Sequence, residues 1–214
     1  TPTPVPATAA LQGIWQSPAG TATNTSAIVL PDGQLWAVVV TAGTPVSTRV
    51  IKARFAPELA GFTGSGTSYT LGTNTSSSLT ATASVIEKTS LAATFSSNGQ
   101  SDAYSLAYQS RYDTPVSLAD WQGSWNGTLG PGTVSWNITA SGAISGTRST
   151  GCIYSGQVSL RQEQKAIADV SVTESCAGTV TQLAGIGTLV TGKAATLAMT
   201  TADGSAAVLL GLTR

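Results

Sequence analysis

The chain of 214 residues balances ten Lys and Arg against ten Asp and Glu, has no His, and is only 9% charged. That leaves no basic footprint for nucleic acid or an anionic membrane, and without His both Ser-His-Asp machinery and His-ligated metals are excluded. Ser and Thr exceed a quarter of the residues and Gly reaches 23, which suits short strands and tight turns, while 41% hydrophobic residues suffice for a core.

The chain opens without Met on Thr1-Pro2-Thr3-Pro4-Val5-Pro6. Such a stretch is semi-extended and packs poorly, so residues 1–10 read as a spacer. No apolar run approaches the roughly 20 residues of a membrane helix. The expectation is a trimmed terminus of an exported protein, with a lipid anchor upstream of residue 1 as one possibility.

Two stretches then echo each other. Leu11-Gln12-Gly13-Ile14-Trp15 and Trp121-Gln122-Gly123-Ser124-Trp125 each place Gly-x-Trp after Gln, and each opens a run of strand-like segments. The first unit is expected over 11–112, with strands at 13–17, 24–30, 34–41, 47–55, 61–71, 78–87, 91–96 and 102–110. Pro31-Asp32-Gly33 and Asn98-Gly99 are its strongest turn signals. The connector Asp113–Ser117 leads to a second unit over 118–214, with strands at 123–129, 133–139, 143–148, 151–161, 167–173, 180–190, 194–200 and 205–213. Both units end at an Arg, Arg111 and Arg214. One unit written twice explains agreement at both ends. About eight strands joined by hairpin-sized turns predict two tandem up-and-down antiparallel β-barrels, with β-sandwiches as the alternative.

One hairpin can be registered from sequence. If Glu163-Gln164-Lys165 is a turn, Gln162 pairs with Ala166, Leu160 with Ala168, Val158 with Val170, Gly156 with Val172 and Tyr154 with Glu174. Cys152 then falls opposite Cys176, and the alternation puts Tyr154, Val158, Leu160, Val170 and Val172 on the inner face. Pairing and alternation agree, which predicts a Cys152–Cys176 disulfide and an exported protein.

Chemistry is sparse. Asp32, Glu58, Asp102, Asp113, Asp120, Glu163 and Asp203 read as turn charges. Glu174 falls on the inner face beside Tyr154, either as a strand-end carboxylate at a rim or as a ligand contact. No cofactor or metal is expected. Trp15 and Trp125 read as core plugs that close the barrels, with ligand stacking as the sharper alternative. Leu35-Trp36-Ala37-Val38-Val39-Val40 is apolar on both faces, so Trp36 marks a candidate interdomain or dimer surface.

Gly13-Ile14-Trp15 and Gly123-Ser124-Trp125 resemble the Gly-x-Trp of calycin barrels: lipocalins, avidins and small inhibitors of bacterial metalloproteases. The second unit, with Gly151-Cys152-Ile153-Tyr154-Ser155-Gly156 and Cys176, resembles uncharacterised proteobacterial envelope lipoproteins. These resemblances imply a barrel, an address in the periplasm or outer membrane, and no assigned activity. The expected function is a non-catalytic binding or structural module of the bacterial envelope, the soluble part of a lipoprotein. Its partner is an unknown protein or a small apolar ligand, and a homodimer is open. The alternative is a protease inhibitor that presents its N-terminal tail.

Overall fold

A computed structural model describes residues 7–214, so Thr1–Pro6 of the expected spacer lie outside the described residues. Two compact units divide between Arg111 and Tyr112. Each is an antiparallel sheet of eight strands in sequential order, closed into a barrel. The first contains β1 (Gly13–Gln16), β2 (Thr23–Val29), β3 (Gln34–Thr41), β4 (Ser47–Glu58), β5 (Gly61–Thr70), β6 (Thr75–Ile86), β7 (Ser90–Ser97) and β8 (Gln100–Tyr108). The second contains β9 (Gly123–Leu129), β10 (Gly132–Ile138), β11 (Ala143–Arg148), β12 (Ile153–Leu160), β13 (Ile167–Cys176), β14 (Thr179–Thr191), β15 (Ala194–Thr201) and β16 (Ala207–Thr213). The sandwich alternative is set aside, because closure in strand order leaves no second sheet.

Turn chemistry makes the up-and-down path possible. Asn98 and Gly99 both have positive φ, 50° and 76°, the geometry of a two-residue hairpin turn. Gly33 has φ 84°, and a Cβ there would stand 2.4 Å from the Phe55 carbonyl oxygen. A side chain at that turn therefore strains its own backbone and collides with β4.

Alternation sends every second side chain inward. In barrel 1, Trp15, Ala27, Leu35, Ile51, Phe62, Leu79, Phe95 and Leu106 share one core. In barrel 2, Trp121, Trp125, Val134, Trp136, Val158, Val170, Leu197 and Leu210 do the same. Burial of this apolar area, worth about 25 cal/mol per Å², dominates the stability of each barrel.

The β12–β13 register is the one read from sequence: Tyr154 faces Glu174, Gly156 faces Val172, Val158 faces Val170 and Leu160 faces Ala168. Two details differ. The connection occupies residues 161–166, because the ladder stops early; Ala166 N–H donates to the Tyr112 carbonyl instead of pairing with Gln162. Leu160, expected inside, is 43% exposed, since it lies at the end of the wall.

Each barrel has a helical turn leading into its first strand. Thr8–Leu11 forms one 3-10 turn and Leu118–Trp121 one α-helical turn, α1. The first takes in Thr8, Ala9 and Ala10, which composition groups with the spacer; Thr8 Oγ1 donates to the Pro31 carbonyl at the β2–β3 turn. Asp120 stabilises the start of α1, where its carboxylate accepts from the Ser117 amide at 2.8 Å and hydroxyl at 2.7 Å.

Candidate functional site

The repeated Trp has one job in both barrels. Trp15 and Trp125 are fully buried, and each indole Nε1–H donates to a carbonyl four residues upstream, Leu11 at 2.9 Å and Trp121 at 2.7 Å. The helical turn is thereby pinned to the first strand. Between them stands a Gly with unusual backbone, and Gly123 has φ 128°. In barrel 2 the terminal Arg completes the closure: the Arg214 guanidinium lies 4.9 Å from the Trp125 ring centroid and donates to the Gln122 carbonyl at 2.6 Å. Both Trp side chains belong to the buried cores of their barrels.

The opposite end of each barrel, away from the helical turn, holds a polar cluster of Arg, carboxylate and Tyr. In barrel 1, Arg49 follows the inward parity of Ile51 and Phe55, and Asp102 and Tyr104 follow that of Leu106. Strands β4 and β8 stand on opposite sides of an eight-membered ring. Arg49 therefore crosses the interior, donating to Asp102 Oδ2 at 2.8 Å and Tyr104 Oη at 3.0 Å. Asp102 is not the turn charge that its position beside Asn98-Gly99 suggests. Burial raises the Tyr104 pKa, and the Arg49 cation opposes that shift.

In barrel 2 the equivalent chemistry comes from other strands. Tyr154 Oη–H donates to Glu174 Oε1 at 2.5 Å, and Arg148 approaches the same oxygen at 3.4 Å while donating to the Leu129 carbonyl at 2.6 Å. Burial first, then the Glu174 hydrogen bond and charge, push the Tyr154 hydroxyl well above its ordinary range. Tyr154 is thus held neutral, a donor and not a base. Glu174 sits beside Tyr154 as the alternation requires. Trp136 Nε1 and Arg148 Nε are also buried, with no protein acceptor among the described residues. The Trp136 ring meets Tyr154 at 5.5 Å, and a Cβ on Gly146 would stand 2.5 Å from Trp136 Cδ1. Gly146 therefore makes room for the ring.

Directly beside this cluster, Cys152 and Cys176 form the expected disulfide. Cys176 ends β13 two residues past Glu174, and Cys152 immediately precedes β12, two residues before Tyr154. Both sulfurs and a Glu174 oxygen lie within 4.8 Å of one another, but the sulfurs are bonded to each other and offer no thiolate.

Trp36 is 3% exposed, its Nε1–H donates to Gln34 Oε1 at 2.9 Å, and the Lys52 ammonium stands 4.9 Å from its ring centroid. The sequence did not point to Arg49, Tyr104, Arg148 or Trp136 as partners. The one available signal was parity: Arg49 and Arg148 interrupt otherwise apolar inward positions.

Depressions of about 440 and 420 Å³ on barrel 1 and about 300 Å³ on barrel 2 lie along the walls, lined largely by Ser, Thr, Ala and Gly. No protein-family model and no curated protein matches the chain. Among solved structures it is similar to the isotype 1 transferrin binding protein B from serogroup B Neisseria meningitidis. That match has 8% identity and a TM-score of 0.31, covering 95% of this chain and 67% of the other. It is also similar to a protein of unknown function from the DUF3598 family of Nostoc punctiforme, at 12% identity and a TM-score of 0.30, with 97% of both chains covered.

Proposed function

We propose that this protein is a non-catalytic binding module of the bacterial cell envelope, the soluble part of a lipoprotein. The observation that carries the binding reading is the rim of barrel 2. There two buried donors, Trp136 Nε1 and Arg148 Nε, have no acceptor among the described residues and lie beside a mutually bonded Tyr154–Glu174 pair. Leaving buried donors unmatched costs on the order of 1–3 kcal/mol each, a cost that a bound acceptor group removes. The cluster suits recognition over proton transfer, because its Tyr is held neutral and its carboxylate is already engaged by two donors.

The disulfide supports the compartment, since such bonds persist outside the reducing cytosol. Thiol trapping in intact cells of the native host tests it. Alkylation before lysis should leave Cys152 and Cys176 unmodified until reductant is added. Labelling of both thiols without reductant would overturn the envelope assignment.

A further inference from the structure

Barrel 1 is closed by a much shorter seam than its wall allows. Strand β1 pairs with β8 at only two positions, Trp15 with Tyr108 and Gln16 with Ala107. The ladder stops where Pro18 comes next. Gln109 N–H donates to the Ile14 carbonyl, so even-numbered residues of β1 and odd-numbered residues of β8 face each other across the seam. Pro18 is the next residue that would face β8, opposite Ser105, and it has no N–H to give. Its carbonyl is turned to the Thr21 hydroxyl at 3.1 Å. The second barrel has Thr128 at the matching place and its first strand, β9, runs on to Leu129, although its seam with β16 is also paired at two positions, Leu212 with Gly127 and Thr213 with Asn126.

One side of the resulting gap is satisfied and the other is not. The Ser17–Ala22 segment bonds back to β2: Ser17 N–H donates to the Thr25 carbonyl at 2.9 Å, Thr25 N–H to Ser17 Oγ at 2.9 Å, and Thr21 Oγ1–H to the Thr23 carbonyl at 2.8 Å. On β8, Tyr108 N–H donates toward β7, to the Thr89 carbonyl. By alternation Asp102, Tyr104 and Leu106 also serve β7, while Ser101, Ala103 and Ser105 turn their backbone N–H and C=O groups to the gap. All three are exposed. Their side chains are small and uncharged, and the neighbouring charge, Asp102, points inward and is neutralised by Arg49. The edge thus has neither a Pro nor an outward charge of the kind that blocks strand pairing.

We propose that the Ser101–Ser105 edge of β8 is a strand-addition site for an extended segment of another protein. Alternating donors and acceptors at two-residue spacing are met by another extended backbone and by no other common ligand. The opening is one missing strand segment within a closed wall. A single extended segment fits it, whereas a second copy of the chain would bring a whole barrel wall. The depression lined by Gln16, Ser17, Asn24, Ala107 and Gln109 lies at the inner end of that path and can receive a side chain of the incoming segment.

Amide exchange on the whole protein, followed by NMR, tests this with a capped heptapeptide of alternating threonine and valine at millimolar concentration. The expected result is that exchange of Ser101, Ala103 and Ser105 slows by about tenfold, while Asp102 and Tyr104, already bonded to β7, are unchanged. Ala103→Pro removes one gap-facing N–H and no ladder bond, so it should melt like the parent and abolish the response. Ser105→Pro serves the same purpose should the first variant misfold. Three results would overturn the proposal: no slowing with peptide, slowing that survives both proline variants, or slowing that follows protein concentration without peptide, which would make a second copy the occupant.

Discussion

Tyr154 gathers the physics of the rim into one hydroxyl. Its proton is held by burial and by a 2.5 Å bond to Glu174, so its pKa in the folded protein lies above the ordinary value of 10.0. Between pH 10 and that higher value the unfolded chain loses the phenolic proton and the folded chain keeps it. The folded state then binds more protons, and stability falls as pH rises through this window, being fully present below pH 10. Alkaline denaturation of the parent should therefore show a stability loss that begins near pH 10, and Tyr154→Phe should flatten that limb. The same variant removes the hydrogen bond to Glu174 and should lower stability at pH 7 by about 1–2 kcal/mol. Urea melts at pH 7 and at pH 11 measure both effects.

At the scale of elements, the decisive contact is the Trp that ties a helical turn to a first strand. Trp125→Phe would leave the Trp121 carbonyl without its donor and open space in the core, costing about 2 kcal/mol or more. Equilibrium melts of Trp125→Phe and Trp15→Phe should show losses of similar size, because both indoles make the same bond four residues back. These elements were legible in the sequence because strand parity, turn residues and the Cys152–Cys176 pairing are local or nearly local signals. The partners of Arg49 were not. Its contact with Asp102 and Tyr104 spans 53 and 55 residues, and it exists because β4 and β8 face each other across a closed ring. Barrel closure brings them together, and no periodicity in either strand announces it. Arg148 and Glu174 were hidden for a similar reason, being separated by 26 residues and an intervening strand. The β8 gap was half visible: Pro18 stands in the sequence, but the expected first strand ends at Ser17 without showing which edge it leaves bare.

For the molecule as a whole, the central claim is that two barrels of one design carry separate cores and separate polar rims, with only the second held by a covalent cross-link. The Cys152–Cys176 bond closes a loop with a sequence separation of 24, which by loop entropy is worth about 3 kcal/mol to barrel 2. Barrel 1 reaches the same fold without cysteine, so its own wall suffices. Native-state hydrogen exchange with and without reductant tests this most directly. Reduction should lower protection across residues 123–213 by about two orders of magnitude or more, consistent with that loop-entropy figure, and leave residues 13–108 unchanged. An equal loss of protection in both barrels, or none in the second, would contradict the account.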